Sequence, residues 1–430
     1  MRGRLNVFQK SMLQWNELHP YNAVHVAWIP SVLDLPRLRK LIATVLEAKG
    51  LTGLALNLAA GTYEYEGGLA DVELKVLTAS AGVSPGYVGE IELQLNTPFV
   101  LSKRFSPFRF FVVAETDAFA LALVYFHPIA DAESIVLLLT ELADIYRGKT
   151  SPGARKPASL YPPRRDNLLR FHPGVLTRRL ATLPALIRQT RRACRPHYRD
   201  AEDLSNQFAF FSLSPSHLAA LIRTAKSLEV SLNDLFLALL AKAVSCLAPA
   251  RAGRRKGISL GCIVNLRKDL DPAARSAFGL LLGSFVVQHD APAGISLPDL
   301  ARQIGQQTAR IKRGRLYFGG VLELAMGRRL VALFPLERRK RLYQKHYPLW
   351  GGLTNMNLNQ LWPEAHTPGP VDYFRAVSTG PVTPLVLSIS TLGEKANVGV
   401  SYRPAVFSAG DIEQIKSQFL EPMDRLVGRP

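Results

Sequence analysis

The stretch Val124–Ser134, VYFHPIADAES, places a histidine and an aspartate four residues apart at the end of an apolar run. A neutral imidazole is the commonest general base near neutral pH. Pro128 follows His127 and forces a turn where the apolar run ends, and side chains in such turns project from the edge of a sheet. His127 is therefore a candidate general base with Asp131 as its neighbour. The alternative is an ordinary histidine at a strand end, because this spacing also arises by chance.

Other catalytic and binding motifs are missing from the sequence. It contains no GxxxxGK[ST] phosphate loop, no GxGxxG after a strand, no GxSxG elbow and no HExxH. Cys194, Cys246 and Cys262 form no CxxC pair, so we expect neither a metal site nor a disulfide framework. The aromatic signatures of RNA-binding domains are also missing. His127 remains the residue around which chemistry can be proposed.

The hydrophobic pattern predicts the elements that would hold His127. Asn22–Pro30 is typical of a strand, and Leu35–Gly50 has leucines at helical spacing with a glycine stop. Phe108–Ala114 and Ala118–Phe126 flank a polar turn and predict a buried hairpin. Glu133–Gly148 predicts a helix that begins with an acidic residue. The histidine would lie where the hairpin ends and this helix begins.

The second half of the chain repeats this plan without repeating the sequence. Ser231 and Asp234 have capping-box spacing in front of an apolar helix, and Gly257–Arg267 predicts a strand. The segments LVLSIST and NVGVSYR predict a hairpin, and Ser408 with Asp411 predicts the start of a last helix. Hairpins followed by helices indicate an α+β fold, an α/β sandwich of mixed sheets with helices on one side.

Length and composition favour two domains. The chain has 430 residues with 47% hydrophobic content, which suffices for a substantial core. A Pro- and Arg-rich segment divides it, so we predict an N-terminal half at residues 1–170, a basic linker at 171–200 and a C-terminal half at 201–430. No signal peptide or membrane-spanning run is recognisable. We expect a cytoplasmic protein, at most peripheral on the inner face of the membrane.

The net charge of +19 is concentrated in two stretches. Arg147–Arg199 contains 14 Lys and Arg against one acid, and Arg302–Lys345 contains 12 against two. Solvated Arg-rich helical faces would explain both. The alternative is an attractive field for an anionic partner, such as nucleotide phosphates, an acidic carrier protein, anionic lipid or nucleic acid. Nucleic acid is the least supported partner, because it rests on charge alone.

The segment FHPIADA resembles the HHxxxDG motif of the acyltransferase superfamily that includes chloramphenicol acetyltransferase, non-ribosomal peptide synthetase condensation domains, wax ester synthases and polyketide-associated acyltransferases. His127 matches the second, catalytic histidine of that motif and Asp131 matches its aspartate. IVNLR resembles the V-N-x-R strand of the family, LTNMNL resembles its S/T-N segment, and VSYRPAVFSAGDIEQI resembles its closing hairpin and helix. Two positions depart from the motif. Phe126 replaces the first histidine, and Ala132 replaces a glycine and fits only if its φ is not positive.

The resemblance implies two chloramphenicol acetyltransferase-like halves forming a V-shaped pseudo-dimer with a central channel. The donor would be an acyl thioester of coenzyme A or of an acyl or peptidyl carrier protein, and no cofactor would be bound permanently. A small-molecule or lipid acceptor would give its hydroxyl or amine proton to His127. Asp131 would form a bidentate pair with Arg267 and hold the loop that presents His127.

The remaining site candidates are polar residues that could bind substrate or the oxyanion of the tetrahedral intermediate. They are Thr354 and Asn355 in the S/T-N segment and, with weaker support, Asn265, Ser388 and Ser390. Two basic, amphipathic segments, Gly174–Arg192 and Leu330–Pro348, are candidates for contact with an anionic membrane surface. For either segment taken alone, a helix packed on its domain with arginines outward is the better-supported explanation. The alternative to an enzyme is a catalytically inactive, condensation-like protein that binds a carrier protein or acyl chain, which Phe126 and Ala132 favour.

Overall fold

The structure is a computed structural model of the chain. It describes residues 1–78, 87–149, 158–160, 174, 184, 188, 190–248, 256–270, 275–290, 292–318, 320–362 and 372–428. Most of the predicted basic helix at residues 174–192 lies outside these residues. None of the helices in the described ranges has the length and apolar character needed to cross a membrane.

The helices of the described residues are α1 (Val7–Asn16), α2 (Leu35–Lys49), α3 (Tyr87–Asn96), α4 (Ala132–Tyr146), α5 (Pro215–Ser227), α6 (Leu232–Ser245), α7 (Leu297–Arg313), α8 (Gly320–Ala332), α9 (Leu336–His346) and α10 (Ala409–Val427). The strands are β1 (Arg2–Arg4), β2 (Asn22–Ile29), β3 (Leu54–Asn57), β4 (Thr62–Tyr65), β5 (Leu74–Thr78), β6 (Phe108–Ala114), β7 (Phe119–Phe126), β8 (Ser159–Leu160), β9 (Gln207–Leu213), β10 (Gly257–Asn265), β11 (Ala277–Phe278), β12 (Leu282–Asp290), β13 (Leu349–Asn357), β14 (Tyr373–Val377), β15 (Leu385–Leu392) and β16 (Lys395–Tyr402).

The chain divides into two compact units that do not follow a single linear boundary. Unit 1 contains Met1–Asp166, Asn265–Leu282 and Asn357–Ser378. Unit 2 contains Asn167–Val264, Gly283–Met356 and Thr379–Pro430. The predicted division into residues 1–170 and 201–430 does not anticipate that two segments from the second half are built into unit 1.

A five-stranded sheet in the order β14-β2-β7-β6-β5 forms the centre of unit 1. β2, β7 and β6 pair antiparallel, and β14 adds antiparallel to β2. Every residue of β7 is buried, as expected for a strand of large apolar residues in the middle of a sheet. The predicted buried hairpin is confirmed, as is helix α2 with Gly50 in the left-handed conformation at its end.

A six-stranded sheet in the order β12-β10-β13-β15-β16-β9 forms the centre of unit 2. β10 pairs parallel with β13, whereas β15 and β9 pair antiparallel with β16. Both predicted capping boxes are present, at Ser231 with Asp234 and at Ser408 with Asp411. The mixed sheets with packed helices confirm the predicted α+β architecture.

The predicted strand Gly257–Arg267 is too long at its C-terminal end. β10 stops at Asn265, and Arg267 begins a one-turn 3-10 helix that ends at Asp269. The chain enters unit 1 at this point. Arg267 is therefore not a strand residue, and its side chain is placed by the turn.

Phe126 occupies the position where the resembling motif has its first histidine. Its side chain is fully buried and packs edge-to-face on Phe99 and Phe105, with ring centroids 5.9 and 5.8 Å away. Such aromatic pairs stabilise a core beyond their buried area. Phe126 is thus a core residue here, in a cluster where an imidazole would meet phenyl rings.

We expect the substitution Phe126→His to lower the free energy of unfolding by about 1–3 kcal/mol, because it buries polar ring nitrogens in an apolar cluster. Urea denaturation followed by circular dichroism measures the change. Phe126→Leu, which keeps an apolar side chain at the site, is the control and should cost less than Phe126→His. A histidine variant as stable as the wild type would contradict this description of the cluster.

Candidate active site

His127 begins a 3-10 turn, His127–Ile129, immediately after β7. Its backbone N–H donates to the Tyr21 carbonyl at 3.2 Å, and its own carbonyl accepts from the Ala130 N–H at 3.3 Å. Pro128 within the turn has no N–H to donate, so β7 ends here. Only 8% of the His127 surface is exposed. The side chain is nearly enclosed, and its backbone is held on both sides.

The hydrogen bond of the His127 ring determines its tautomer. Nδ1 lies 3.0 Å from the carbonyl oxygen of Ala130. A carbonyl only accepts hydrogen bonds, so Nδ1 carries the proton and Nε2 of the neutral ring keeps a free lone pair. The turn therefore presents Nε2 as the basic nitrogen.

Two tyrosines fix the plane of the His127 ring. Tyr21 stacks on it with ring centroids 5.5 Å apart and an interplanar angle of 8°. Tyr125 meets it edge-on at 5.4 Å and 80°. With the Ala130 hydrogen bond, these contacts leave the imidazole little freedom to rotate. A preorganised ring loses less entropy when a substrate proton is transferred to it.

A polar cluster that the sequence analysis did not identify lies behind Tyr125. His25 on β2 has Nε2 3.4 Å from the Tyr125 hydroxyl and Nδ1 2.5 Å from the Tyr373 hydroxyl. Arg375, on the neighbouring strand β14, pairs in register with His25 and is buried. The signal was visible as a histidine in the apolar segment NAVHVAWI and an arginine in YFRAV, since buried polar residues require partners.

Burial lowers the pKa of His127 below its ordinary value of 6.5. The hydrogen bond to Ala130 and the charge of Asp131 oppose this shift in pKa, whereas the positive charge of Arg375 adds to it. A lowered pKa means that the imidazole is neutral at neutral pH, the form that accepts a proton. Burial also lowers the pKa of His25 well below 6.5, with Arg375 as the next cause.

Asp131 is the N-cap of helix α4 and is almost fully buried. Its Oδ1 accepts from the Ser134 N–H at 3.0 Å. Its Oδ2 accepts from Arg267 Nη1 at 2.5 Å and from the Leu281 N–H at 3.0 Å. The structure thus brings Asp131 and Arg267 together, but the expected bidentate geometry is wrong, because the second carboxylate oxygen is taken by the helix cap.

The second guanidinium nitrogen of Arg267 binds elsewhere. Nη2 donates to Ser134 Oγ at 2.9 Å and to the Ala277 carbonyl at 3.1 Å. Ser134 Oγ in turn bonds the backbone of Gly279, to the carbonyl at 3.0 Å and to the N–H at 3.1 Å. Residues 265–282 are therefore fastened to the first turn of α4 through one buried ion pair and its neighbours.

Asn265 is engaged within this cluster. Its Oδ1 accepts from the Arg267 N–H at 2.9 Å, and its Nδ2 donates to Glu133 Oε2. Arg267 Nε lies 3.7 Å from Glu133 Oε1. Partial burial raises the pKa of Glu133, and the Arg267 charge opposes this rise in pKa. With both ends of its amide engaged, Asn265 is better placed to support Arg267 than to bind substrate.

Ala132 has an ordinary backbone conformation. It is the first residue of helix α4, and among the described non-glycine residues only Glu229 and Arg315 have positive φ. Ala132 therefore does not need the positive φ that would favour glycine. Alanine is also a good helix former at such a position. The loss of the motif's glycine therefore introduces no backbone strain.

The other candidates belong to unit 2. Thr354 and Asn355 lie half-buried on β13, and Ser388 and Ser390 are buried on β15. Asn355 Oδ1 is buried and has no hydrogen-bond partner among the described residues. Buried amide oxygens usually accept a hydrogen bond, and a donor group of a substrate or a water molecule could supply it here.

No protein-family model and no curated protein matches the sequence. Solved structures do match along its whole length. A cyclization-docking bidomain of the EpoB non-ribosomal peptide synthetase from Sorangium cellulosum is 14% identical, with a TM-score of 0.72 over 100% of this chain and 85% of that one. The first condensation domain of the calcium-dependent antibiotic synthetase, in complex with a substrate analogue, is 16% identical with a TM-score of 0.72 over 100% and 97%.

An epimerization domain from the third module of tyrocidine synthetase B is also similar, at 13% identity and a TM-score of 0.65 over 99% of this chain and 95% of that one. At such identities the likeness concerns the fold. The chain has the condensation-domain fold, with its two chloramphenicol acetyltransferase-like halves.

We expect Asp131→Asn to lower the free energy of unfolding by about 3–5 kcal/mol, because it leaves the Arg267 charge buried without its counter-ion. Arg267→Met should have a similar effect. The double variant should lose clearly less unfolding free energy than the sum of the two single variants, because it leaves no buried charge without a counter-ion. Urea unfolding of the four proteins gives the coupling energy.

The control for this cycle is Arg425→Met, which removes an ion pair with Glu421 that is exposed on both sides. It should change stability by about 0–1 kcal/mol. Additive effects of Asp131→Asn and Arg267→Met would show that the buried pair does not hold the segment in place.

Proposed function

We propose that this protein is an acyltransferase that moves an acyl group from an acyl thioester to a hydroxyl or amine acceptor, with His127 as general base. The observation that carries the proposal is the hydrogen bond from His127 Nδ1 to the Ala130 carbonyl. It leaves Nε2 unprotonated in a ring whose pKa is lowered by burial. The condensation-domain fold supports the reaction class.

In the proposed reaction Nε2 takes the proton of the acceptor as its oxygen or nitrogen attacks the thioester carbonyl carbon. The carbon–sulfur bond then breaks. The leaving thiolate takes up the proton from the imidazolium, so the ring returns to its neutral form. No acyl-enzyme is needed. General base catalysis of this kind contributes ~10²–10⁴-fold to the rate.

The donor is proposed to be acyl-coenzyme A or an acyl or peptidyl carrier protein, used as co-substrate, with no permanently bound cofactor. One of the similar solved structures is a cyclization-docking bidomain of a non-ribosomal peptide synthetase. The five Lys and Arg residues of Arg302–Arg315 favour phosphates or an acidic carrier surface. We place the reaction in the cytoplasm or on the inner face of the membrane, with a small molecule or a lipid as acceptor.

Asp131 and Arg267 are proposed as positioning residues, because their contacts are with helix α4 and with residues 265–282. Thr354 and Asn355 remain the proposed oxyanion or substrate residues. The unpartnered Asn355 Oδ1 favours a contact with a donor group of the acceptor, whereas its amide N–H groups suit the oxyanion.

Thiol release from a panel of acyl-coenzyme A and acyl-carrier donors with alcohol and amine acceptors tests the proposal. We expect acceptor-dependent release by the wild type and a rate ~10²–10⁴-fold lower for His127→Ala. His217→Ala, which removes a histidine on helix α5, is the control and should keep the wild-type rate. No release from any pair, with equally tight acyl-carrier binding by wild type and His127→Ala, would instead identify an inactive, condensation-like binding protein.

The pH dependence of kcat/KM follows from the lowered pKa of His127. The active form is the neutral imidazole, so the rate should be constant through neutral pH. It should fall on acidification only below the ordinary histidine pKa of about 6.5. A rate that already falls between pH 8 and 7, roughly a unit above that pKa, would contradict the assignment.

Protein stability has to be followed over the same pH range. The pKa values of His25 and His127 are both lowered in the folded state. Below pH ~6.5 the unfolded chain therefore takes up protons that the folded chain does not. The free energy of unfolding decreases as the pH is lowered. Circular dichroism at each pH separates this loss from the titration of the catalytic base.

A further inference from the structure

The corner between helices α8 and α9 exposes a cluster of large apolar side chains. Leu333 is 78% exposed and Leu330 is 59% exposed, and Phe334 and Leu336 are also exposed. They surround Pro335, which separates the two helices. We call residues 328–341 the α8–α9 corner. Soluble proteins expose single apolar residues often, but contiguous apolar clusters mark interaction sites.

Basic side chains flank these apolar residues on both helices. The α8–α9 corner contains six Lys and Arg residues against the single acid Glu337, a net charge of +5. Two of the six, Lys340 and Arg341, are paired with Glu202. Arg329 at the end of α8 and Arg338 at the start of α9 are exposed. The apolar side chains thus lie between two groups of positive charge.

Several backbone groups of the corner are hydrogen-bonded within the protein. The N–H groups of Leu333 and Phe334 donate to carbonyls three residues earlier, at 3.2 and 3.1 Å. The Phe334 carbonyl accepts from Arg339 Nε at 2.9 Å, and the Pro335 carbonyl accepts from the Arg338 N–H at 3.0 Å. Pro335 itself has no N–H. These groups keep their partners when water is removed from the turn, which lowers the cost of taking it into an apolar phase.

We propose that the α8–α9 corner docks on an anionic lipid bilayer, with Leu330, Leu333 and Phe334 inserted at the interface and the flanking arginines on lipid phosphates. A fluid bilayer takes up exposed apolar side chains such as Leu333 without a preformed pocket, and its affinity adds the buried apolar area to the attraction between basic residues and anionic lipid. Arginines bind phosphates with two N–H groups at once, and anionic lipid attracts each added positive charge. This docking does not depend on the proposed acyl transfer.

Co-sedimentation with phosphatidylglycerol–phosphatidylcholine vesicles tests the proposal on the whole chain. We expect the wild type to bind these vesicles and to bind pure phosphatidylcholine vesicles much more weakly. Leu333→Ser combined with Phe334→Ser should lower the partition coefficient by about tenfold or more, because two inserted side chains are lost. Arg329→Gln combined with Arg338→Gln should weaken binding mainly at low salt, since charge is screened beyond about 3 Å in 1 M salt.

The matched control is Leu69→Ser combined with Val100→Ser. These apolar residues are 88% and 79% exposed in unit 1, away from the α8–α9 corner in sequence. The control should bind vesicles as the wild type does. Circular dichroism verifies that all variants fold, and since every changed residue is exposed, folding should be retained.

Three results would overturn the proposal. One is a wild type that does not sediment with anionic vesicles, and another is a corner variant that binds as well as the wild type. The third is saturable binding of an acidic carrier protein that the corner variant loses, without vesicle binding, which would assign the corner to a protein partner. None of these measurements requires turnover, so they stay interpretable if no acyltransferase activity is found.

Discussion

The buried contact between Asp131 and Arg267 is the constraint on which the region around His127 depends. A charge removed from water costs several kcal/mol unless its partner and its hydrogen bonds are supplied together. Here the carboxylate accepts hydrogen bonds from Arg267 Nη1, the Leu281 N–H and the Ser134 N–H. The guanidinium donates hydrogen bonds to oxygens of the same two segments. The turn that carries His127 is followed after one residue by Asp131, the N-cap of helix α4, so fixing this carboxylate also restrains the end of that turn.

Two opposing influences set the state of the His127 ring. Burial and the charge of Arg375 favour the neutral form, whereas the Ala130 carbonyl and Asp131 favour the protonated one. Burial is the largest of these effects, yet the Ala130 bond still chooses which nitrogen is protonated. The stacked Tyr21 and the edge-on Tyr125 hold the ring plane. The contacts that pack the core therefore also set the tautomer and the plane of the His127 ring.

Much of the local structure was predictable from the sequence, because its signals are local. The hydrophobic periodicity and the capping residues predict the hairpin β6–β7 and helices α2, α6 and α10, and the structure contains them. The edge strand β14 and the contact of Tyr373 with His25 were not predictable, since they join residues 348 apart in sequence. The pairing of Asp131 with Arg267 came from a family resemblance, not from periodicity. Its single rather than bidentate geometry reflects competition from the helix cap, which no sequence pattern shows.

The discontinuous composition of unit 1 has a consequence for how the protein is made. Residues 1–166 lack both Arg267 and β14, so a nascent chain of that length has Asp131 without its cation and β2 without its outer neighbour. Contacts this distant in sequence form late, because a long loop must close before they are gained. Unit 1 is complete only when residue 378 has left the ribosome. During synthesis unit 1 therefore stays incomplete until most of the second half has been made. In this interval its unpaired strand edge and its apolar surface are exposed, and a chaperone would protect them from aggregation.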